Sequence, residues 1–146
     1  MGNISTQDIK LLVLDIDGTI AGASNKISNR VIEAVRAIQA KGIQVAIATG
    51  RMYCSALHYH AQIGSNLPLI AYQGAWIQDP VSQKIHQHLS VNKEIALKLL
   101  DYFEQPELRQ LLSVHFYIND QLYVRELTEE SKIYGQRSGI TPIPVG

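Results

Sequence analysis

The sequence has a single cysteine, Cys54, which rules out an internal disulfide and fits a reducing cytoplasm. It has no surplus of either charge, since thirteen Lys and Arg offset thirteen Asp and Glu. No basic stripe points to nucleic acid, and no acidic tail points to a disordered partner segment. No apolar run is long enough to span a membrane. Met1 to Asp8 are polar and carry no signal-peptide pattern. Internal repeats and low-complexity segments are absent too. What remains is a 146-residue chain with aliphatic residues dispersed among charges, enough for one ordinary domain with a real core. The expected setting is the cytoplasm, with neither nucleic acid nor membrane as partner.

What is present begins with an apolar run, Lys10 to Leu14, read as a fully buried strand because its apolar residues do not alternate. Asp15-Ile16-Asp17-Gly18-Thr19 follows it directly. Ser28 is a good N-cap for a helix carrying Val31, Ala34, Val35 and Ile38, which Gly42 stops. Ile43 to Ala48 is a second buried strand, so the first three elements form a right-handed βαβ unit with a parallel pair. A helix from about Met52 to Ile63 and a short strand, Leu69 to Tyr72, extend it into a doubly wound α/β sheet. After Gly74 the pattern changes. Strands at Trp76 to Gln78 and Lys84 to His88 turn at Asp79-Pro80. A helix with Ile95, Leu99 and Phe103 on one face ends at Pro106. A hairpin turning at Asn119-Asp120, a helix near Glu129 to Arg137 and a proline-bearing tail complete an α+β module. The expected domains are residues 1–80 and 81–146, with the boundary near Ile77 to Gln87.

Neighbouring parallel strands bring Asp15 and Thr49-Gly50-Arg51 to one rim of the sheet, where ligands of open α/β sheets bind. Two acids, a hydroxyl, an arginine and glycine-loop amides are the inventory of phosphoryl transfer. Asp15, held at the strand end, is a competent nucleophile towards phosphorus and gives an aspartyl-phosphate. Asp17 can act as general acid and then base. Gly18 allows the sharp turn, and Thr49 can donate its hydroxyl to a phosphate oxygen. Arg51 either clamps an anion or braces the loop. Two carboxylates facing a phosphate dianion call for a hard cation such as magnesium. The bland alternative is that acids after a strand serve as caps and turn formers.

The segments Leu12–Ile20 and Ile47–Arg51 resemble the first and second motifs of the haloacid dehalogenase (HAD) superfamily. Ala71-Tyr72-Gln73-Gly74-Ala75, with an α+β insertion after the third strand, resembles its Cof-type phosphatases. The resemblance implies a HAD-like (Rossmannoid) α/β core, here incomplete, with part of an inserted cap. It implies magnesium-dependent hydrolysis of small phosphorylated metabolites, often sugar phosphates. Asp15 would be nucleophile, Asp17 acid/base, and Thr49, Gly50, Arg51 and Gly18 the phosphate site. Asp15 and the Asp17 carbonyl would hold Mg2+. Relatives usually carry asparagine where this chain has Gln73.

Two motifs of the resembling family, a lysine and a Gly-Asp turn, are not found. Lys84, Lys93, Lys98 and Lys132 end no core strand, and Asp101, Asp120, Glu129 and Glu130 lack the spacing. The expectation is therefore a truncated chain of impaired activity, with Lys10 to Leu14 left as an exposed, self-associating edge. The rival readings are a non-catalytic phosphate-binding module, a fragment needing a complementing chain, and a receiver-like domain, the last disfavoured by the inserted cap. His58 and His60 do not share a helix face, whereas His86 and His88 share a strand face but lack a third zinc ligand. Cys54 is expected to pack, Tyr72, Trp76 and Tyr117 to serve as core or hinge, and Tyr123 or Arg125 to be the cap's candidates for facing substrate.

Overall fold

A computed structural model describes residues 9–146, so Met1 to Asp8, read above for a signal peptide, lie outside the described residues. The chain folds as two compact units that divide after His88.

In the first unit, β1 (Leu11–Leu14) pairs in parallel with β2 (Gln44–Ile47), Leu14 opposite Ile47. The crossover is α1 (Asn29–Gln39), where Ser28 Oγ accepts from the Val31 N–H at 3.4 Å. At its far end Gly42 takes φ +81°, and its N–H bonds Gln39 O while the Ile43 N–H bonds Ile38 O. That reverse pair satisfies two terminal carbonyls and turns the chain into β2. The next helix, α2 (Tyr53–Ile63), ends at left-handed Gly64. It leads to β3 (Leu69–Ala71), which joins the parallel sheet through one bridge, Ala48 to Ile70.

There the parallel pattern stops. β4 (Trp76–Gln78) runs antiparallel to β3, and β5 (Ile85–His88) antiparallel to β4. The Asp79 carboxylate accepts from the Val81 and Ser82 N–H groups, making the reversal local. The hairpin thus stays with the first unit, past the 80/81 division read from the sequence.

The core joins Ile16, Val35, Val45, Ile47, Ala56, Tyr59, Ile63 and Leu69. Strand β1 is not fully buried, contrary to its apolar sequence. Leu12 and Leu14 pack against the core, but Leu11 and Val13 on the opposite face are 49% and 48% exposed. Among the described residues β1 has a strand partner on one side only, β2. Cys54 is likewise exposed rather than packed, because it lies on the outer side of α2.

In the second unit, Pro106 does not terminate a helix; it opens one. Helix α3 (Lys93–Phe103) ends before it, and Pro106 takes the first turn of α4 (Pro106–Leu111), where a missing N–H costs nothing. Strands β6 (His115–Ile118) and β7 (Gln121–Val124) form the expected hairpin, with Asn119 and Asp120 both at positive φ. After α5 (Glu129–Ser138), the tail adds a two-residue parallel strand, β8 (Ile143–Pro144), beside β7.

Candidate active site

Matched register carries β1 and β2 to the same edge. The Ala48 N–H bonds Leu14 O at 3.0 Å, so Asp15 and Thr49 follow from paired positions. Ile16 is fully buried between the two aspartates, and its carbonyl accepts from the Thr19, Ile20 and Ala21 N–H groups. Gly18, at φ +74°, makes that tight fold possible. The Ile16 and Asp17 N–H groups donate no backbone hydrogen bond among the described residues, and so remain as donors for an anion.

Asp15 is exposed, and no hydrogen bond or ion pair engages its carboxylate among the described residues. Thr49 is 5% exposed and its Oγ1 accepts from the Arg51 N–H at 3.2 Å, which leaves its own proton to donate. Thr49→Val is expected to orphan that N–H, cost about 1–2 kcal/mol in urea unfolding, and weaken inorganic phosphate binding in the same preparation.

The structure engages Arg51 with Asp17. Its Nε donates to Oδ2 at 2.8 Å and its Nη2 to Oδ1 at 2.7 Å, a two-pronged grip. These hydrogen bonds hold the Asp17 carboxyl below its ordinary value, and the grip raises Arg51. Asp17 is therefore ionised here and must part from Arg51 to act as an acid. Both prongs of the Arg51 side chain used here face Asp17.

Two further residues complete this arrangement, and sequence reasoning missed both. Asn25 Oδ1 accepts from Arg51 Nη2, and the Tyr59 ring lies 4.9 Å from the guanidinium carbon. The only signal in the sequence was Asn25's place in a polar loop, since asparagine tolerates the positive φ it adopts.

The end of β3 closes the rim. The Tyr72 N–H bonds Arg51 O at 2.9 Å and the Gln73 N–H bonds Thr49 O at 3.1 Å. Tyr72 and Gln73 both take positive φ, 50° and 56°. The Gln73 amide lies across Gly50, where a Cβ would sit 2.4 Å from Nε2. A larger residue at position 50 would displace the Gln73 amide, and Gln73 belongs to the rim.

No group of three or more His, Cys, Asp or Glu is placed to hold a metal among the described residues. Magnesium needs less, since one or two protein oxygens with substrate and water complete its shell. The free Asp15 carboxylate and the Asp17 carbonyl, which accepts no backbone bond among the described residues, are hard oxygen donors that fit it.

His60 is buried and bonds Leu67 O, and the His88 ring packs 4.4 Å from Trp76. Trp76 also stacks with Tyr53 and Tyr72. In the second unit Tyr117 donates to the Tyr134 hydroxyl, Arg125 is paired with Glu104, and Tyr123 lines an open cleft with Phe103 and Phe116. Lys132 is bound to Glu129 at 2.7 Å.

Residues 12–141 match the family described as haloacid dehalogenase-like hydrolase. Phosphatase YwpJ of Bacillus subtilis is 30% identical over 96 residues, 66% of this chain and 33% of that protein. The 5-amino-6-(5-phospho-D-ribitylamino)uracil phosphatase YitU of the same organism is 26% identical over 117 residues, 76% of this chain and 43% of its own. A haloacid dehalogenase-like hydrolase from Bacteroides thetaiotaomicron superposes with a TM-score of 0.80 at 20% identity, covering 95% of this chain and 52% of that one. The chain thus spans a third to about half the length of these relatives. With the α/β fold, the strand-end aspartates and this match across most of its length, the chain belongs to the haloacid dehalogenase-like hydrolase family.

Proposed function

We propose that this chain carries the nucleophile side of a magnesium-dependent, Cof-type phosphomonoester hydrolase, with the second unit serving as part of its cap. The observation that carries the reading is Asp15: an exposed carboxylate held by a rigid strand end, beside the Thr49 hydroxyl and two uncommitted amides. Asp15 attacks phosphorus to give an aspartyl-phosphate, and the Ile16 and Asp17 N–H groups with Thr49 hold the equatorial oxygens. Asp17, taking up a proton as it loosens from the Arg51 grip, gives that proton to the leaving oxygen and then takes one from the attacking water. Magnesium, held by Asp15 and the Asp17 carbonyl, would supply charge neutralisation against the phosphate.

The substrate class is small phosphorylated metabolites, sugar phosphates among them. YitU, whose name carries a phosphorylated ribityl chain, supports this. Hydrolysis of p-nitrophenyl phosphate that requires magnesium tests the reading. Phosphate binding without any turnover would favour a non-catalytic module instead.

Self-association through β1 belongs to the same reading, because Leu11 and Val13 expose apolar surface on a strand that, among the described residues, is paired on one side only. Val13→Lys is expected to lower the association seen by sedimentation velocity across a concentration series. An unchanged profile would remove β1 from the contact.

A further inference from the structure

We infer that Asn25 and Tyr59 are positioning residues, which hold Arg51 in place beside Asp17 so that Arg51 serves that carboxylate and not the substrate phosphate. Three separate segments meet here: the loop after β1 supplies Asn25, the loop after β2 supplies Arg51, and α2 supplies Tyr59. Asn25 sits at φ +58°, a left-handed conformation that turns both its ends to use. Its side-chain oxygen takes Arg51 Nη2, and its carbonyl accepts from the Tyr59 hydroxyl at 2.9 Å. The Tyr59 ring, fully buried, lies 4.9 Å from the guanidinium carbon.

A count of donors shows what this does. Arginine has five N–H bonds. The one on Nε and the two on Nη2 go to Asp17 and Asn25. Nη1 is enclosed, with no hydrogen-bond partner among the described residues. No outward fork is left for a phosphate. The anion must then rely on the Thr49 hydroxyl, the Ile16 and Asp17 amides, and the bound cation. A site built so should bind phosphate weakly without a divalent ion, although an arginine stands beside it.

The brace is geometric, and its consequence for phosphate rests on the phosphoryl-transfer reading above. The test is solvent exchange of the Arg51 Nε proton, followed by NMR on the whole chain. The wild-type proton is expected to exchange slowly. Asn25→Gly keeps the positive φ but removes the acceptor, and is expected to speed exchange about tenfold. Asn25→Asp restores an acceptor and should restore slow exchange. Tyr59→Phe, which keeps the ring and loses the hydroxyl, should give a smaller increase and carries the test if Asn25→Gly does not fold. Exchange unchanged in both Asn25→Gly and Tyr59→Phe, or already fast in the wild type, would overturn the brace. Inorganic phosphate with magnesium is then added to the same wild-type sample. Shifts at the Ile16 and Asp17 amides with a stationary Arg51 proton support the inference; an Arg51 proton that moves with phosphate overturns it. The absence of any amide shift counts against the phosphoryl-transfer reading alone, and leaves the brace to the exchange rates.

Discussion

Asp15→Asn is expected to lower magnesium-dependent phosphomonoester hydrolysis at least about a thousandfold, the scale on which a covalent nucleophile matters. The reason is specific to this position. Asparagine keeps the volume and polarity of the side chain, and Asp15 is exposed at the strand end, so the fold should not notice. What is lost is the anionic oxygen that attacks phosphorus. Asp17, the other carboxylate at the rim, has both oxygens bonded to Arg51 and is assigned the proton transfers instead. Rates with a chromogenic phosphate ester, alongside thermal unfolding, give the check. Activity that survives Asp15→Asn would place the chemistry elsewhere.

Arg51→Met is expected to act on Asp17 in the opposite sense. With the two-pronged grip gone, the Asp17 pKa should rise back towards the ordinary carboxylate value. The sign for stability follows from linkage. A depressed folded-state pKa contributes stability above the unfolded value, and that contribution is lost as pH falls through the folded one. Arg51→Met should therefore flatten the loss of stability on acidification below about pH 4. Asp17 is 61% exposed, so the ion pair itself adds little. Most of the cost, on the order of 1–2 kcal/mol, comes from the lost Asn25 contact and the uncovered Tyr59 ring. Carboxyl carbon NMR over a pH series reads the pKa, and urea unfolding at two pH values reads the rest.

The place of the two aspartates at a strand end was legible in the sequence because they and their strand lie within nine consecutive residues, Leu12 to Ile20. Thr49 was legible because parallel pairing of β1 and β2 follows from the βαβ pattern. The partner of Arg51 was not, since a side chain that can reach an anion can equally reach a carboxylate. Its partners Asn25 and Tyr59 stand 26 residues before it and on the next helix, and only the folded chain brings the three together. The left-handed pair Tyr72-Gln73 was hidden for a related reason, as the bonds that hold it come from Arg51 and Thr49. In β1 the apolar run misled. It marks surface suited to burial, and Leu11 and Val13 have no cover among the described residues. Pro106 misled through position, because the residue that ends one helix is also favoured at the start of another.

The most direct test is fluorine NMR of the chain with magnesium and beryllofluoride, a mimic of a phosphoryl group bound to a carboxylate. The account predicts a bound fluorine signal that needs magnesium, disappears in Asp15→Asn and persists in Asn25→Gly. A bound signal that Asp15→Asn leaves intact, or none at all with the wild-type chain, would contradict the assignment of Asp15 as the nucleophile.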